Sequence, residues 1–266
     1  MTARSRYGLR SVALFYLGLL LLLPVGAVFY NTFKDGLAPV IEAVTTPEAM
    51  HAFWLTMIMV AVAVPLNTVF GVACAIVLVR YRFPGRGLMN RIVDIPFAIS
   101  PVVVGLALIL VYGQDSLIGG GLIDAGIQVI FTPVGMALAT IFVSLPFVVR
   151  EVMPVLREIG TEQEEAASTL GAGGWQTFWR ITLPAISWGV AYGVVLTTAR
   201  SLGEYGAVAV VSGKIVGTTE TATLLVERAY QNFDVSGAYA AAVILAVLAL
   251  GTLLAMNLFK PKERKV

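Results

Sequence analysis

Twice in its first eighty residues this chain runs uncharged for at least the thickness of a bilayer, as "SVALFYLGLLLLLPVGAVFY" at 11–30 and as "LTMIMVAVAVPLNTVFGVACAIVLV" at 55–79. About 20 apolar residues in α-helix cross the hydrocarbon core, and a backbone in lipid must satisfy its own hydrogen bonds. Six such spans can be drawn, at about 11–33, 53–79, 95–113, 133–150, 185–211 and 238–259. Only 13% of the residues are charged, against about 25% in a soluble domain. The expectation is an all-α polytopic membrane protein with six transmembrane helices in one domain over 1–266. The first run continues through Val28, Phe29 and Tyr30, longer than a secretory h-region, which predicts an uncleaved span.

The basic residues set the orientation. With the N-terminus inside, cytoplasmic segments carry Arg4, Arg6, Arg10, Arg80, Arg82, Arg86, Arg91, Arg150, Arg157, Arg180, Lys260, Lys262, Arg264 and Lys265. Outside fall Lys34, Lys214 and Arg228, while Arg200 lies within the fifth span. Positive charge is retained in the cytoplasm, so both termini and the 151–184 connection are expected there.

Prolines at Pro24, Pro65, Pro96, Pro101 and Pro146 are candidate bends. Breaks in a span are tolerated where neighbouring helices or a cavity satisfy the freed backbone. Pro96 and Pro101, in "DIPFAISPVVVGL", are the best candidates for irregular backbone beside a pathway, and Ser100 and Ser144 offer hydroxyls along it. In "RSLGEYG", Arg200 and Glu204 are four residues apart, on one helical face, and can pair. Ionisable groups in a span usually face the bundle interior or a wet cavity. A paired arginine tunes the field felt by a passing anion without trapping it, and conduction needs such weak binding. A purely structural ion pair is the competing reading. Asp94 is expected to form an interfacial ion pair with its neighbours Arg91 and Arg86. Lone Cys74 and lone His51 read as packing residues and exclude a cysteine framework or a cysteine-cluster metal site.

Between the fourth and fifth spans the chain inserts "TEQEEAASTLGAGGWQTFWRITLP", Thr161 to Pro184. Thr161 followed by Glu164 is a capping-box pattern, and Glu162, Glu164 and Glu165 put negative charge at the positive end of the helix dipole. Ile159, Ala166, Ala167 and Leu170 fall on one stripe, and Gly171 supplies a stop. Trp175, Phe178 and Trp179 suit a membrane interface.

Glu165-Ala166-Ala167, Gly171, then Ile181, Leu183 and Pro184 match E-A-A-x3-G-x9-I-x-L-P. The pattern resembles the cytoplasmic signature of permease subunits of binding-protein-dependent ABC importers. That resemblance implies the type I importer permease fold, with a coupling helix between helices 4 and 5 docking into a groove on an ATPase. Glu164, Glu165, Ala166, Ala167 and Gly171 would then couple to the ATPase, with Ile181, Leu183 and Pro184 returning the chain to the membrane. The stretches "VRYRFPGRGL", "DIPFAISPVVVGL", "PFVVREVMPVL" and "ARSLGEYGAVAVVSG" resemble the sulfate/thiosulfate permeases, the W-type more than the paralogous T-type. By resemblance the partners are a T-type permease, an ABC ATPase dimer, a periplasmic sulfate-binding protein and membrane lipid, with no nucleic acid, in a bacterial inner membrane. Molybdate and tungstate permeases share the loop, which leaves the oxyanion open, and an ion-coupled anion carrier is the rival class. The chain lacks H-E-x-x-H and the phosphate loop G-x-x-x-x-G-K-[ST]. It is expected to be non-catalytic and to bind no cofactor, with ATP and Mg on the partner ATPase.

Overall fold

The computed structural model describes residues 3–258, and no strand occurs among them. Five helices are long and apolar enough to cross a membrane: Arg10–Phe33, Pro47–Arg80, Pro133–Glu158, Gly174–Leu202 and Val235–Leu254. A pair bent by 59°, Pro101–Tyr112 with Leu117–Asp124, supplies the third of six spans in chain order. The basic tail Lys260, Lys262, Arg264 and Lys265 lies outside the described residues.

The second, fourth and fifth spans pack against one another as the centre of the bundle. Small residues permit the approach. A Cβ added to Gly71 of the second span would lie 2.6 Å from Val148 Cβ, and one added to Gly193 of the fifth would lie 2.7 Å from Val148 Cα. Lipid offers helices little hydrophobic reason to associate, so close packing of this kind has to hold them. Toward the end carrying Arg80 the core is built from Leu78, Val148, Val152, Leu156 and Ile186, with the free thiol of Cys74 buried among them. The opposite end buries Leu55, Met59, Met136, Val208 and Leu224. The C-terminal part of the first span, Leu23–Phe33, touches the sixth.

Two spans are discontinuous. The third begins with a short turn, Ile95–Ala98, passes through extended backbone at Ile99 and Ser100, and restarts as a helix at Pro101. Proline suits that first helical position, where its missing N–H costs nothing. The fifth helix stops at Leu202 and restarts as Gly206–Val211, so the span drawn over 185–211 is interrupted at Gly203–Tyr205. The cause is a side chain: Glu204 Oε1 accepts the Ala207 N–H at 2.9 Å and starts the new helix. The two restarted helices lie against each other, since a Cβ on Gly206 would come 2.9 Å from Pro101 Cβ and one on Gly105 2.9 Å from the Ala207 carbonyl. Pro65 and Pro146, read from sequence as bends, sit inside the unbroken helices Pro47–Arg80 and Pro133–Glu158.

Candidate functional site

The segment between the fourth and fifth spans contains the helix Glu162–Thr169. Its end is a Schellman motif: the Gly171 N–H donates to the Ser168 carbonyl and the Ala172 N–H to the Ala167 carbonyl, both at 3.0 Å. Gly171 has φ +83°, the left-handed conformation that this motif requires. Ala167 is the helix's buried residue, while Glu162, Gln163, Glu165, Ala166, Ser168 and Thr169 face outward. The helix therefore stands proud of the bundle with a small-residue, acidic surface. Ile159, Phe178 and Leu183 pack on the core at the Arg80 end, Ile181 is half-buried, and Pro184 is exposed near the start of Leu183–Leu202.

Two local expectations are corrected. No capping box forms: the Thr161 hydroxyl donates to Glu165 Oε1 at 2.7 Å, and Glu164 turns inward to Arg80, whose Nε lies 2.9 Å from Oε2. An ion pair to a neighbouring span outcompetes the local cap. Leu170 does not continue the buried stripe; it lies past the last turn and is 88% exposed. Asp94 is a third correction. Its partner is Arg150 of the fourth span, with Nε 2.7 Å from Oδ1 and Nη2 2.6 Å from Oδ2. Arg150 also donates to the Asn90 side chain and carbonyl. Arg86 is directed elsewhere, donating to the Leu78 carbonyl at 2.8 Å.

At the fifth-span break, Arg200 Nη1 lies 2.6 Å from Glu204 Oε2, and the side chains are 29% and 2% exposed respectively. Glu204 thus has two roles, one oxygen in charge contact with Arg200 and the other accepting the Ala207 N–H at the start of the Gly206–Val211 helix. Its backbone carbonyl accepts the Thr223 hydroxyl at 2.8 Å. Side chains thus supply partners for the Ala207 N–H and the Glu204 carbonyl at the break. Because Gly206 touches Pro101, the structure brings the Ser100–Pro101 break and the Gly203–Tyr205 break together. Ser100 is exposed. Ser144 is not beside them: it is 1% exposed and accepts the Asn67 side-chain amide at 2.8 Å between the second and fourth spans.

Sequence reasoning missed Asn67 and the structural part played by Arg80. Arg80 had counted only as one more positive charge at the end of an apolar run. Its position on the last residue of a long apolar helix was the one available signal.

The family model described as "binding-protein-dependent transport system inner membrane component" matches residues 67–265. The sulfate transport system permease protein CysW of Synechocystis sp. is 53% identical over 98% of this chain and 95% of its own length. The corresponding CysT protein of Escherichia coli is 40% identical over 92% of this chain and 88% of its own. A chain of the crystal structure of a bacterial alginate ABC transporter, in complex with its alginate-pentasaccharide-bound periplasmic protein, superposes with a TM-score of 0.80 at 19% identity, covering 98% of this chain and 95% of that one. That last likeness speaks for the fold alone. With six spans, a projecting helix before the fifth and a match over three quarters of its length, the chain belongs to the inner-membrane components of binding-protein-dependent transport systems.

Proposed function

We propose that this chain is the W-type permease subunit of an ATP-driven sulfate importer in the bacterial plasma membrane. It works beside a T-type permease, an ATPase dimer and a periplasmic sulfate-binding protein. The near-full-length identity to a W-type sulfate permease, higher than to the T-type, supports the subunit and the substrate. The charge bias of the loops supports cytoplasmic termini.

The observation that carries the mechanism is the exposed helix Glu162–Thr169, held at the basic end of the bundle. Side chains as short as Ala166 let a partner surface come close, and Glu165 adds a charge. ATP and Mg belong to the ATPase; this chain receives the resulting movement. In the membrane, the two broken spans form the second element. Transporters place substrate sites where discontinuous helices meet, because unwound backbone and helix ends offer polar groups there. Ser100, Pro101, Arg200 and Glu204 occupy such a junction, with Arg200 supplying the cation and Glu204 restraining it. Sulfate is attracted but released, as conduction requires.

The test is radiolabelled sulfate uptake by the complete complex in proteoliposomes, with thiosulfate and molybdate as competitors. ATP-dependent uptake that thiosulfate blocks and molybdate does not is the expected result. Dominant inhibition by molybdate reassigns the oxyanion. Uptake that persists without the ATPase and follows a proton gradient assigns a secondary carrier instead.

A further inference from the structure

We infer that Arg80 is the positioning residue through which movement of the helix Glu162–Thr169 reaches the second and fourth spans together. The inference rests on the functional reading above, in which that helix receives the ATPase. Arg80 is the last residue of the second span. Its Nη1 donates to the Leu156 carbonyl at 2.8 Å and its Nη2 to the Gly160 carbonyl at 2.6 Å. Both acceptors lie at the end of the fourth span, where a helix leaves carbonyls without partners. Its Nη2 donates to Glu164 Oε1 at 3.2 Å, and its Nε lies 2.9 Å from Oε2 as an ion-pair contact without hydrogen-bond alignment. Glu164 Oε1 also accepts the Thr182 hydroxyl at 2.9 Å, just before Leu183–Leu202 begins. The guanidinium therefore joins the second and fourth spans to the projecting helix, and Glu164 carries the connection on to the fifth.

Nothing else polar joins that helix to the spans among the described residues. The hydroxyls of Thr161, Ser168 and Thr169 bond within the segment itself, to Glu165 Oε1, the Glu165 carbonyl and the Ala166 carbonyl. Ala167 alone is buried. A single methyl group in contact can slide, whereas a planar guanidinium fork fixes distance and direction together. The side chains of Arg80 and Glu164 are only 11% and 22% exposed, so water screens the pair weakly. Glu164 thus acts inward, as a strut, and Glu165 and Ala166 are left to face the ATPase. Lysine cannot replace Arg80, since one ammonium cannot span two carbonyls and both oxygens of a carboxylate.

The experiment compares the complete complex with Arg80→Gln, Arg80→Lys, Glu164→Gln and the Arg80→Gln/Glu164→Gln double variant in proteoliposomes. It reads sulfate moved per ATP hydrolysed, together with the ATPase retained through purification. The expected result is retained ATPase and continued hydrolysis, with the ratio lowered about tenfold in Arg80→Gln. The lysine variant should not restore it, and the double variant should be no worse than Arg80→Gln alone. An unchanged ratio overturns the inference, including the case where transport and hydrolysis fall in proportion. So does loss of the ATPase from the complex, which makes Arg80 an assembly residue, or a double variant worse by the product of the singles. If Arg80→Gln fails to accumulate, Glu164→Gln carries the same expectation and the same refutation, because it leaves both carbonyl bonds of Arg80 intact. A wild-type complex that moves no sulfate on ATP defeats the functional reading instead.

Discussion

Gly171 offers a sharp test of how the projecting helix is held in shape. A Cβ built at Gly171 meets nothing within 4 Å. The constraint is the backbone, with φ +83°. An L-residue with a side chain costs about 1–2 kcal/mol in that conformation, which shifts the opening equilibrium of the last turn roughly 5- to 30-fold. Gly171→Ala and Gly171→Trp should therefore be equally damaging in the unassembled chain, while Gly171→Asn recovers most of the loss because asparagine tolerates the left-handed region. Hydrogen exchange of the Gly171 and Ala172 amides reads this directly, since both donate to the helix end. Protection in Gly171→Ala equal to wild type, with loss only in Gly171→Trp, would return the effect to bulk and refute the reasoning. Asparagine as damaging as alanine would refute it too. In the assembled complex, uptake lower for tryptophan than for alanine locates Gly171 beside the ATPase as well.

Three further outcomes follow from the packing and the ion pairs. Arg200→Ala is expected to lower sulfate uptake by about tenfold, the effect of losing roughly 1.4 kcal/mol at the junction, more than it lowers recovery of the complex; unchanged uptake kinetics remove Arg200 from the path. Gly71→Ala and Gly193→Ala should each destabilise the chain by about 1–3 kcal/mol through overpacking, measured by thermal unfolding in detergent. Val148→Gly, which removes the Cβ and Cγ1 that a Cβ on Gly71 meets, should couple to Gly71→Ala in a double-mutant cycle and not to Gly193→Ala, whose nearest clash is with Val148 Cα; coupling to both or neither refutes the assignment. In the connection between the fifth and sixth spans, Lys214 Nζ lies 2.8 Å from Glu227 Oε2. Burial pushes the Glu227 carboxyl up, but hydrogen bonds from Lys214, Tyr205 and Gln231 carry it below the usual carboxylate range. The hydrogen bond to Glu227 raises Lys214 in turn. The depressed carboxylate stabilises above about pH 4.3 and loses this as pH falls through its folded value; the raised ammonium stabilises below about pH 10.4 and loses it as pH rises through its own. Exchange protection of residues 212–221 should be flat between those limits and drop beyond them, by a small amount because Lys214 is well exposed.

What the sequence disclosed follows the range of the interaction involved. Span number and type were legible because hydropathy over 20 residues is a local sum. The Arg200–Glu204 pair was legible because both residues lie on one helical face. The end of the helix Glu162–Thr169 was legible through Gly171, whose conformation is set within a single turn. Arg80–Glu164 and Arg150–Asp94 were not, since their partners are separated by 84 and 56 residues. For Asp94 the nearer arginines looked sufficient, and for Thr161 the capping box looked complete. In both cases an arginine fork from another span, positioned by the packed core, displaced the local partner. Ser144 shows the same rule for a neutral group: its role depends on Asn67, 77 residues away.

The breaks carry the argument one step further. Proline is the usual sign of an interrupted helix, yet Pro65 sits inside an unbroken helix of 34 residues, while no proline lies in the interruption at Gly203–Tyr205. A proline removes one donor from a ladder, and a long helix packed on its neighbours absorbs that loss. An interruption exposes several backbone groups at membrane depth and persists only where each finds another partner. At the fifth span Glu204 Oε1 takes the Ala207 N–H, and Thr223 donates to the Glu204 carbonyl. At the fifth span the position of the break is thus marked by polar side chains and not by a residue that forbids a helix. The same carboxylate that makes the break also holds Arg200, so removing Glu204 should close the interruption and free the cation together. Glu204→Leu is accordingly expected to abolish uptake, whereas Glu204→Gln, which keeps an acceptor for Ala207, should keep the break and alter anion handling alone; equal uptake kinetics in the two variants would separate the break from the charge.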